Sequence, residues 1–289
     1  MRLTRRDRIV LFAPLAMLLG GWLVVPAALG LFATFTTYSP FTTTIQLAGF
    51  ANYAAVVQDP QFGAAIRNIA VFTTLAVPLE LAVGFGIAYL LRRPMKGRAL
   101  WRVLLLAPWL VSPIAGGVMW HFLFGGATGI LDFAGGWLRL PDVASPIGDL
   151  RFALLAAIAV EVWRMAPFVS FLLLPGMLSI PKERWEEATL AGASRIQQIR
   201  HVAIPELRTL LLTVGMLLVG LSFGAFDTIL ILTGGGPGTA TLTPALYSYG
   251  RAFQTNDWPV GAASGWLIAA GVIAVGVVYI RLARDRRTR

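Results

Sequence analysis

Four ionisable side chains stand inside long apolar stretches of this 289-residue chain, and they are the residues best suited to chemistry. They are Glu80, Glu161, Arg164 and Asp227. A charge inside a bilayer is costly, so such residues usually face a partner charge or a pathway. Glu161 and Arg164 are three residues apart and share a helix face. They therefore either neutralise each other or line a path, and the sequence leaves both interpretations open.

Aromatic and hydroxyl side chains near these charges are of the types that bind carbohydrate, because sugar hydroxyls need acceptors and sugar faces stack on rings. The substrate-path candidates are Glu161, Arg164, Phe168, Ser222, Phe226 and Asp227. Buried aromatic residues are more often packing residues than ligands. The two phenylalanines therefore remain candidates for either role.

Several catalytic and metal-binding constellations are missing from the sequence. Cysteine is absent, so there is no thiolate nucleophile and no cysteine metal site. His121 and His201 stand apart from other metal-ligand residues. The GGGPG run at 234–238 lacks the Lys and Ser/Thr of a phosphate loop, so any ATP hydrolysis must come from a partner chain. An integral membrane enzyme is disfavoured for the same reasons.

The elements that position these residues are predicted to be membrane helices. The chain is 57% hydrophobic and 13% charged, whereas soluble domains average about 45–50% and about 25%. Apolar runs that can cross about 30 Å of hydrocarbon recur along it. They predict six spans, near 9–34, 68–91, 100–124, 152–175, 209–232 and 261–280. Long runs with little alternation predict an all-α polytopic membrane protein, with residues 1–289 forming a single transmembrane domain.

Prolines within the spans, such as Pro108 and Pro113, are expected to be accommodated by the bundle. Two short interfacial helices are predicted before the second span, at 50–57 and 61–68.

The net charge of +10 is distributed unevenly. Lys and Arg cluster before the first span, between spans two and three, in the fourth connection and after the sixth span. The other side keeps Arg67, Arg139, Arg151 and Arg251. Since Lys and Arg mark the cytoplasmic side, both termini and the fourth connection are predicted to be cytoplasmic. This bias accounts for the charge without a nucleic-acid partner.

The fourth connection, residues 180–205, reads IPKERWEEATLAGASRIQQIRHVAIP and is the longest charged interlude. Ser179 is expected to cap a short amphipathic helix, which ends at Gly192. Ser194 and Gln197 have the spacing of a capping box for a second helix. The predicted form is therefore helix, glycine turn, helix, whereas a solvated basic loop is the alternative.

This connection resembles the Glu-Ala-Ala loop of permease subunits of bacterial ATP-binding-cassette importers. The matching residues are Glu186, Glu187, Ala188, Gly192 and the VAIP segment at 202–205. Two residues depart from the family pattern, because Glu187 stands where the first Ala is expected and Ala191 where Asp is usual.

The resemblance extends over nearly the whole chain. It includes AGFANYAAVVQDPQF before span two, KGRALWR and APWLVSPIAGGVMW around span three, EVWRMAPF in span four and LTGGGPGTAT after span five. These strings are similar to the carbohydrate-uptake group, which includes permeases for maltose-type oligosaccharides and for glycerol phosphate. Within that group the chain looks like the first of two non-identical permeases.

The resemblance implies a type I importer permease fold in a bacterial cytoplasmic (inner) membrane, with six spans and a cytoplasmic coupling helix. It implies a second permease subunit, two ATP-binding subunits that carry ATP and Mg²⁺, and an extracytoplasmic solute-binding protein. This chain would bind no cofactor or metal and would not be an enzyme. Residues expected to couple to the ATPase are Trp185, Glu186, Glu187, Ala188, Gly192, Ala193 and Pro205. The solute would pass along spans four to six.

Two alternatives to sugar import by this machinery remain. The same machinery can import glycerol 3-phosphate, with Arg164 facing a phosphate instead of Glu161. A secondary transporter would use Glu80, Glu161 and Asp227 as ion-coupled carboxylates. It is disfavoured because no inverted repeat is evident and the charged connection would lack a purpose.

Overall fold

A computed structural model describes residues 12–14, 17–39, 41, 44–93, 96–125 and 145–285 of the chain. Within these ranges the secondary structure is helical, and the one β-bridge pairs Thr36 with Leu47. The helices are α1 Val25–Ala33, α2 Ala51–Gln58, α3 Pro60–Leu91, α4 Arg98–Leu110, α5 Pro113–Phe124, α6 Ala153–Ser179, α7 Lys182–Leu190, α8 Arg195–Gln198, α9 Arg208–Phe223, α10 Asp227–Leu232, α11 Pro244–Tyr249 and α12 Trp258–Asp285. Short π-helical turns occupy Gly20–Val24, Ile199–Ala203 and Gly250–Gln254. The prediction of an all-α fold is confirmed.

The described helices include enough apolar length for four to six membrane crossings. Phe12–Ala33, Pro60–Leu91, Ala153–Ser179 and Trp258–Val277 are each long and apolar enough to cross alone. Two bent helix pairs, Leu100–Leu110 with Pro113–Phe124 and Arg195–Glu206 with Arg208–Phe223, bring the count to as many as six. The six predicted spans agree with that upper count.

The third predicted span, 100–124, is two helices and not one. Helices α4 and α5 meet at an angle of 87°. Ser112 has ψ of 138° and is therefore extended. The ring of Pro113 disfavours helical backbone at the residue before it, which explains the break. Pro113 is therefore the first residue of α5, and the stretch predicted as one span is a bent pair of helices.

The fifth predicted span, 209–232, is also interrupted. Helix α9 ends at Phe223 and α10 begins at Asp227. Gly224 closes α9, with its N–H donating to the carbonyl of Leu221 at 3.0 Å. A further bend of 78° separates α9 from the Arg195–Glu206 segment before it.

Two local predictions were also wrong. Residues 61–68 do not form a separate interfacial helix, because α3 is continuous from Pro60 to Leu91. Ser179 does not cap the loop helix, because it is the last residue of α6 and its hydroxyl donates to the carbonyl of Gly176 at 2.8 Å. Helix α7 begins at Lys182, with Pro181 at its N-cap. The expected helix at 50–57 is confirmed as α2.

The contacts divide the chain into two compact units, the first of which comprises residues 1–63 and 247–271. In this unit the Asn52 amide donates to the carbonyls of Thr34 and Thr36. Asp59 pairs with Arg251 at 2.7 Å and accepts a hydrogen bond from Tyr247. Burial raises the pKa of Asp59, but the hydrogen bonds that its carboxylate accepts outweigh burial and lower the pKa below its ordinary value.

The second unit comprises residues 64–246 and 272–289. Its apolar core joins α3, α6, α9 and the 180–205 connection, with members such as Tyr89, Val169, Met177, Ala203 and Leu218. Helices α3 and α6 approach closely at Gly84, where an added Cβ would lie 2.5 Å from Cγ1 of Val169. The absence of a side chain at Gly84 therefore permits the contact.

The glycine-rich segment around 233–243 is folded tightly in the same unit. Gly234, Gly235 and Gly238 have φ of +62°, +90° and +58°, which favours glycine. Thr241 donates to the carbonyl of Gly236 at 2.9 Å. Asn68 of α3 donates to the carbonyls of Thr239 and Leu242 and so joins this segment to the second span.

Candidate functional sites

A cavity of about 390 Å³ lies where the two interrupted spans meet α6. Its lining includes Phe72 from α3, Trp109 and Pro113 from the first break, Glu161, Arg164 and Phe168 from α6, and 224–229 from the second break. Non-helical backbone at membrane depth is tolerated where it lines a cavity. Both helix breaks therefore contribute backbone to one cavity.

The charged residues of this cavity are partly neutralised. Arg164 Nη2 lies 2.6 Å from Glu161 Oε1, and Arg164 Nε donates to Glu161 Oε2 at 3.3 Å. The pair is therefore bidentate, and it also lines the cavity, so the two interpretations of Glu161 and Arg164 are compatible. Asp227 is exposed at the first turn of α10, where the helix dipole favours a carboxylate.

An aromatic stack forms part of the same wall. The rings of Phe168 and Trp109 lie 4.9 Å apart and within 12° of parallel. Trp109 was not among the predicted site residues. The signal that identifies it is its position beside the α4–α5 break, which the sequence marks only by Pro113. Phe226, at the N-cap of α10, also lines the cavity.

Two of the polar residues noted in the sequence are not among the residues that line this cavity. Ser222 is buried, and its hydroxyl donates to the carbonyl of Leu218 within α9 at 2.8 Å. Glu80 is 2% exposed in α3. Five of the six substrate-path candidates are therefore brought together, and Ser222 is not.

The 180–205 connection has the predicted form of helix, glycine turn and helix. Gly192 has φ of +74°, and the Ala193 N–H donates to the carbonyl of Ala188 at 2.9 Å. Ser194 and Gln197 form the predicted capping box, with bonds of 2.7 and 3.4 Å. This part of the sequence interpretation is confirmed.

The outer face of this connection combines charge with exposed apolar side chains. Glu186 and Glu187 are exposed on α7. Leu190 is 89% exposed and Ile196 is 77% exposed, on either side of Gly192. Large apolar side chains left bare on a polar segment are typical of a protein–protein contact. Leu190 and Ile196 were not predicted from the sequence, because helical spacing alone does not show which face the bundle covers.

Trp185 lies on the inner side of α7, against the end of the second span. The guanidinium carbon of Arg92 lies 3.6 Å from the ring centre of Trp185 and 4.5 Å from that of Tyr89. Arg92 Nε is buried without a hydrogen-bond partner among the described residues. The two rings, whose centres lie 6.1 Å apart, are therefore its main contacts, and this cation–π cluster of Arg92, Tyr89 and Trp185 holds α7 on α3.

Ala193 and Pro205 lie at the two ends of the second loop helix. The carbonyl of Ala193 accepts a hydrogen bond from the Gln198 side chain at 3.2 Å. Pro205 is exposed in the turn Ile204–Glu206, just before the 78° bend into α9. Both residues therefore shape the chain path of the connection.

These features define a class of protein, a polytopic helical membrane protein with a cavity at two helix breaks and an exposed, charged helical connection. Among the described residues, no group of three or more His, Asp or Glu is placed to hold a metal ion.

The chain belongs to the family described as "Binding-protein-dependent transport system inner membrane component", which it matches over residues 80–286. The probable ABC transporter permease protein y4oQ of Sinorhizobium fredii is 32% identical over 233 residues, which cover 80% of this chain and 74% of that protein. The trehalose/maltose transport system permease protein MalF of Thermococcus litoralis is 29% identical over 257 residues, which cover 88% and 83%. The predicted family is therefore confirmed, and the chain is a multi-pass inner-membrane permease.

A solved structure has the same fold over nearly its whole length. It is a bacterial ABC transporter involved in the import of the acidic polysaccharide alginate. The superposition has a TM-score of 0.83 at 19% identity and covers 97% of this chain and 96% of that chain. The predicted ABC importer permease fold is therefore confirmed.

Proposed function

We propose that this chain forms half of the translocation path of an ATP-driven, binding-protein-dependent importer for a neutral sugar. The observation that carries the proposal is the cavity at the two helix breaks. It combines an aromatic stack, Phe168 on Trp109, with carboxylates at Glu161 and Asp227 that can accept sugar hydroxyls. Carbohydrate recognition needs both kinds of group.

The charges of the cavity favour a neutral solute over glycerol 3-phosphate. Arg164 is already paired bidentately with Glu161, so its guanidinium is not free to bind a phosphate. Asp227 then leaves the lining with a net negative charge. A phosphate entering this cavity would meet like charge in a medium of low dielectric. Glycerol 3-phosphate is therefore the second candidate. Its binding would require that Arg164 separate from Glu161 to pair with the phosphate.

The proposed partners follow from the two sides of the chain. An ATP-binding subunit would receive the exposed face of the 180–205 connection, with Leu190 and Ile196 as apolar contacts and Glu186 and Glu187 as charge partners. ATP and Mg²⁺ would bind to two such subunits, since this sequence has no phosphate loop. A second permease would complete the path. The distribution of basic residues favours a topology with both termini on the cytoplasmic side, opposite a solute-binding protein.

Binding of the solute by the cavity is tested with Trp109→Ala in proteoliposomes that contain the assembled importer. Loss of the stack is expected to raise the KM for maltose or trehalose uptake by about tenfold, while Trp101→Ala has little effect. Trp101 is a matched control because it is 51% exposed on α4 and lies outside the cavity lining. An aromatic ring contact is worth about 0.5–1.5 kcal/mol beyond area burial, and the upper end of that range corresponds to about tenfold. Equal KM values for the two variants would contradict the assignment.

The choice between the two solutes is tested with Asp227→Asn. If the solute is a neutral sugar, uptake of maltose or trehalose persists or weakens modestly in this variant, and glycerol 3-phosphate is not taken up by the parent importer. Uptake of glycerol 3-phosphate by the parent, in preference to both sugars, would replace the first candidate by the second.

A further inference from the structure

A second cavity, of about 280 Å³, lies at one end of α3, α4 and α6. Leu91, the last residue of α3, borders it, as do Leu105 and Leu106 of α4 and Leu174 of α6. It is separate from the cavity at the helix breaks and shares none of its lining residues. We call it the α4–α6 pocket. No step of the proposed transport function uses it.

Arg102 is the charged residue of this otherwise apolar lining. Its Nε is buried without a hydrogen-bond partner among the described residues. The other polar side chain of the lining, Ser170, already donates its hydroxyl to the carbonyl of Pro167 at 2.7 Å. Arg102 as a whole is partly buried, but its Nε–H has no acceptor in this lining, and a charged donor without a partner is costly there. An anion seated in the pocket would accept a hydrogen bond from it.

The chain around Arg102 is strongly basic. Residues 92–102 include Arg92, Arg93, Lys96, Arg98 and Arg102 and contain neither Asp nor Glu. This end of the spans is the one that the charge bias assigns to the cytoplasm, and anionic lipids are attracted to such juxtamembrane basic segments. The rim of the pocket is apolar and open, since Phe171 is 59% exposed and Leu178 is 48% exposed.

We propose that the α4–α6 pocket binds one anionic phospholipid of the cytoplasmic leaflet. An acyl chain fills the space between Leu105, Leu106 and Leu174, and the headgroup phosphate pairs with Arg102. Each buried methylene adds favourable transfer free energy, and the phosphate accepts a hydrogen bond from the Arg102 Nε–H. A partner protein would have to supply both an apolar surface and an Asp or Glu carboxylate here, whereas one anionic phospholipid carries both kinds of group. The inference rests on the topology given under the proposed function, but not on transport or coupling.

The test measures lipid that remains bound to the purified importer complex, by native mass spectrometry after exchange into detergent with phosphatidylglycerol or phosphatidylcholine of the same acyl chains. Phosphatidylglycerol is expected to be retained preferentially. Arg102→Gln should lower its retention about fivefold, the effect of one basic residue near an anionic headgroup. Lys96→Gln is the matched control, because it removes the same charge from an exposed position outside the pocket.

A second pair of variants tests the acyl-chain site and does not alter charge. Leu105→Trp fills the pocket and should release phosphatidylglycerol. Leu104→Trp adds the same ring at a position that is 53% exposed and outside the lining, and it should leave retention unchanged. Inorganic phosphate is expected not to displace the bound lipid, since it makes no contact with the apolar lining.

Three results would overturn the proposal. Equal retention of the two lipids would show that the pocket does not recognise the anionic headgroup. Equal losses of phosphatidylglycerol from Arg102→Gln and Lys96→Gln would show that general surface charge, and not the pocket, retains the lipid. Loss of the second permease from the Leu105→Trp complex, with lipid unchanged, would assign the pocket to a subunit interface. Because the readout is bound lipid, an importer that fails to transport sugar leaves this result unaffected.

Discussion

Gly192 shows how one residue sets the conformation of the 180–205 connection. Its φ of +74° is left-handed, and no atom lies within 4 Å of the position that a Cβ would take. The requirement for glycine is therefore conformational and not steric. The sequence predicted this turn correctly, because a Gly between a helical run and a capping box is a local signal. The exposure of Leu190 and Ile196 could not be predicted from the sequence, because it depends on how the chain folds.

Substitutions at Gly192 should follow backbone preference and not side-chain size. Gly192→Val is expected to cost about 1–2 kcal/mol in this conformation, to displace α8 and to lower transport severalfold while ATP hydrolysis persists. Gly192→Asn should transport nearly normally, since Asn adopts left-handed backbone readily. Uptake and ATP hydrolysis, measured together in proteoliposomes, check both variants. Normal transport by Gly192→Val would remove this turn from the mechanism.

Arg92 links the connection to the second span through its contacts with Trp185 and Tyr89. Arg92→Gln should loosen α7 and raise the amount of ATP hydrolysed per solute transported, because a cation–π contact of this kind contributes about 0.5–2 kcal/mol. Arg92→Lys should restore coupling in part.

Arg184→Gln is the control for that measurement. Arg184 belongs to α7, the helix that carries Trp185. Its ion pair with Glu206 is long, at 3.8 Å, and exposed. Such surface pairs contribute about 0–1 kcal/mol. If the ratio of ATP to solute shifts equally in both variants, the cation–π contacts of Arg92 have no special part in coupling. The family resemblance predicted Trp185 as a coupling residue. The sequence did not show that its ring contacts Arg92 and Tyr89 of the same chain, because these residues are remote from Trp185 in sequence.

At the scale of elements, the interruptions of two helices are what the sequence predicted least well. Hydropathy placed spans at 100–124 and 209–232, and apolar side chains continue through both breaks. The break at Pro113 has a local cause. Whether the helix breaks or only kinks at this point depends on packing against neighbours such as α6. A hydropathy profile carries no information about that packing. Trp109 and Ala225 line the cavity because the two helices are interrupted beside them.

Close packing of α3 on α6 gives an element-scale prediction. Gly84→Ala forces a methyl group to within 2.5 Å of Val169 and 2.8 Å of the Ala166 carbonyl oxygen. Overpacking of this kind typically costs about 1–3 kcal/mol, so the thermal unfolding midpoint in detergent should fall. Gly86→Ala should be neutral or slightly stabilising, because nothing lies within 4 Å of that position and Ala is the better helix former. A lower midpoint for Gly86→Ala alone would contradict this close contact between the two helices.

At the scale of the whole molecule, composition and charge bias predicted an all-helical, polytopic membrane chain. Ordered motifs across the chain indicated its permease family, and the match over residues 80–286 confirms it. The solute was harder to predict, because the cavity is assembled from residues of α3, α4, α6 and α10 that are distant in sequence. The pairing of Glu161 with Arg164 supplied the argument for a neutral solute only once their geometry was known.

The most direct test of the central claim is uptake of radiolabelled sugar by proteoliposomes that contain this chain, its partner subunits and the binding protein. We predict uptake that requires hydrolysis-competent ATP-binding subunits, persists when proton and sodium gradients are collapsed, and falls sharply in Leu190→Asp because a charge disrupts the apolar contact. Uptake that continues with hydrolysis-dead ATP-binding subunits but stops when the ion gradients are collapsed would contradict the account and indicate an ion-coupled transporter.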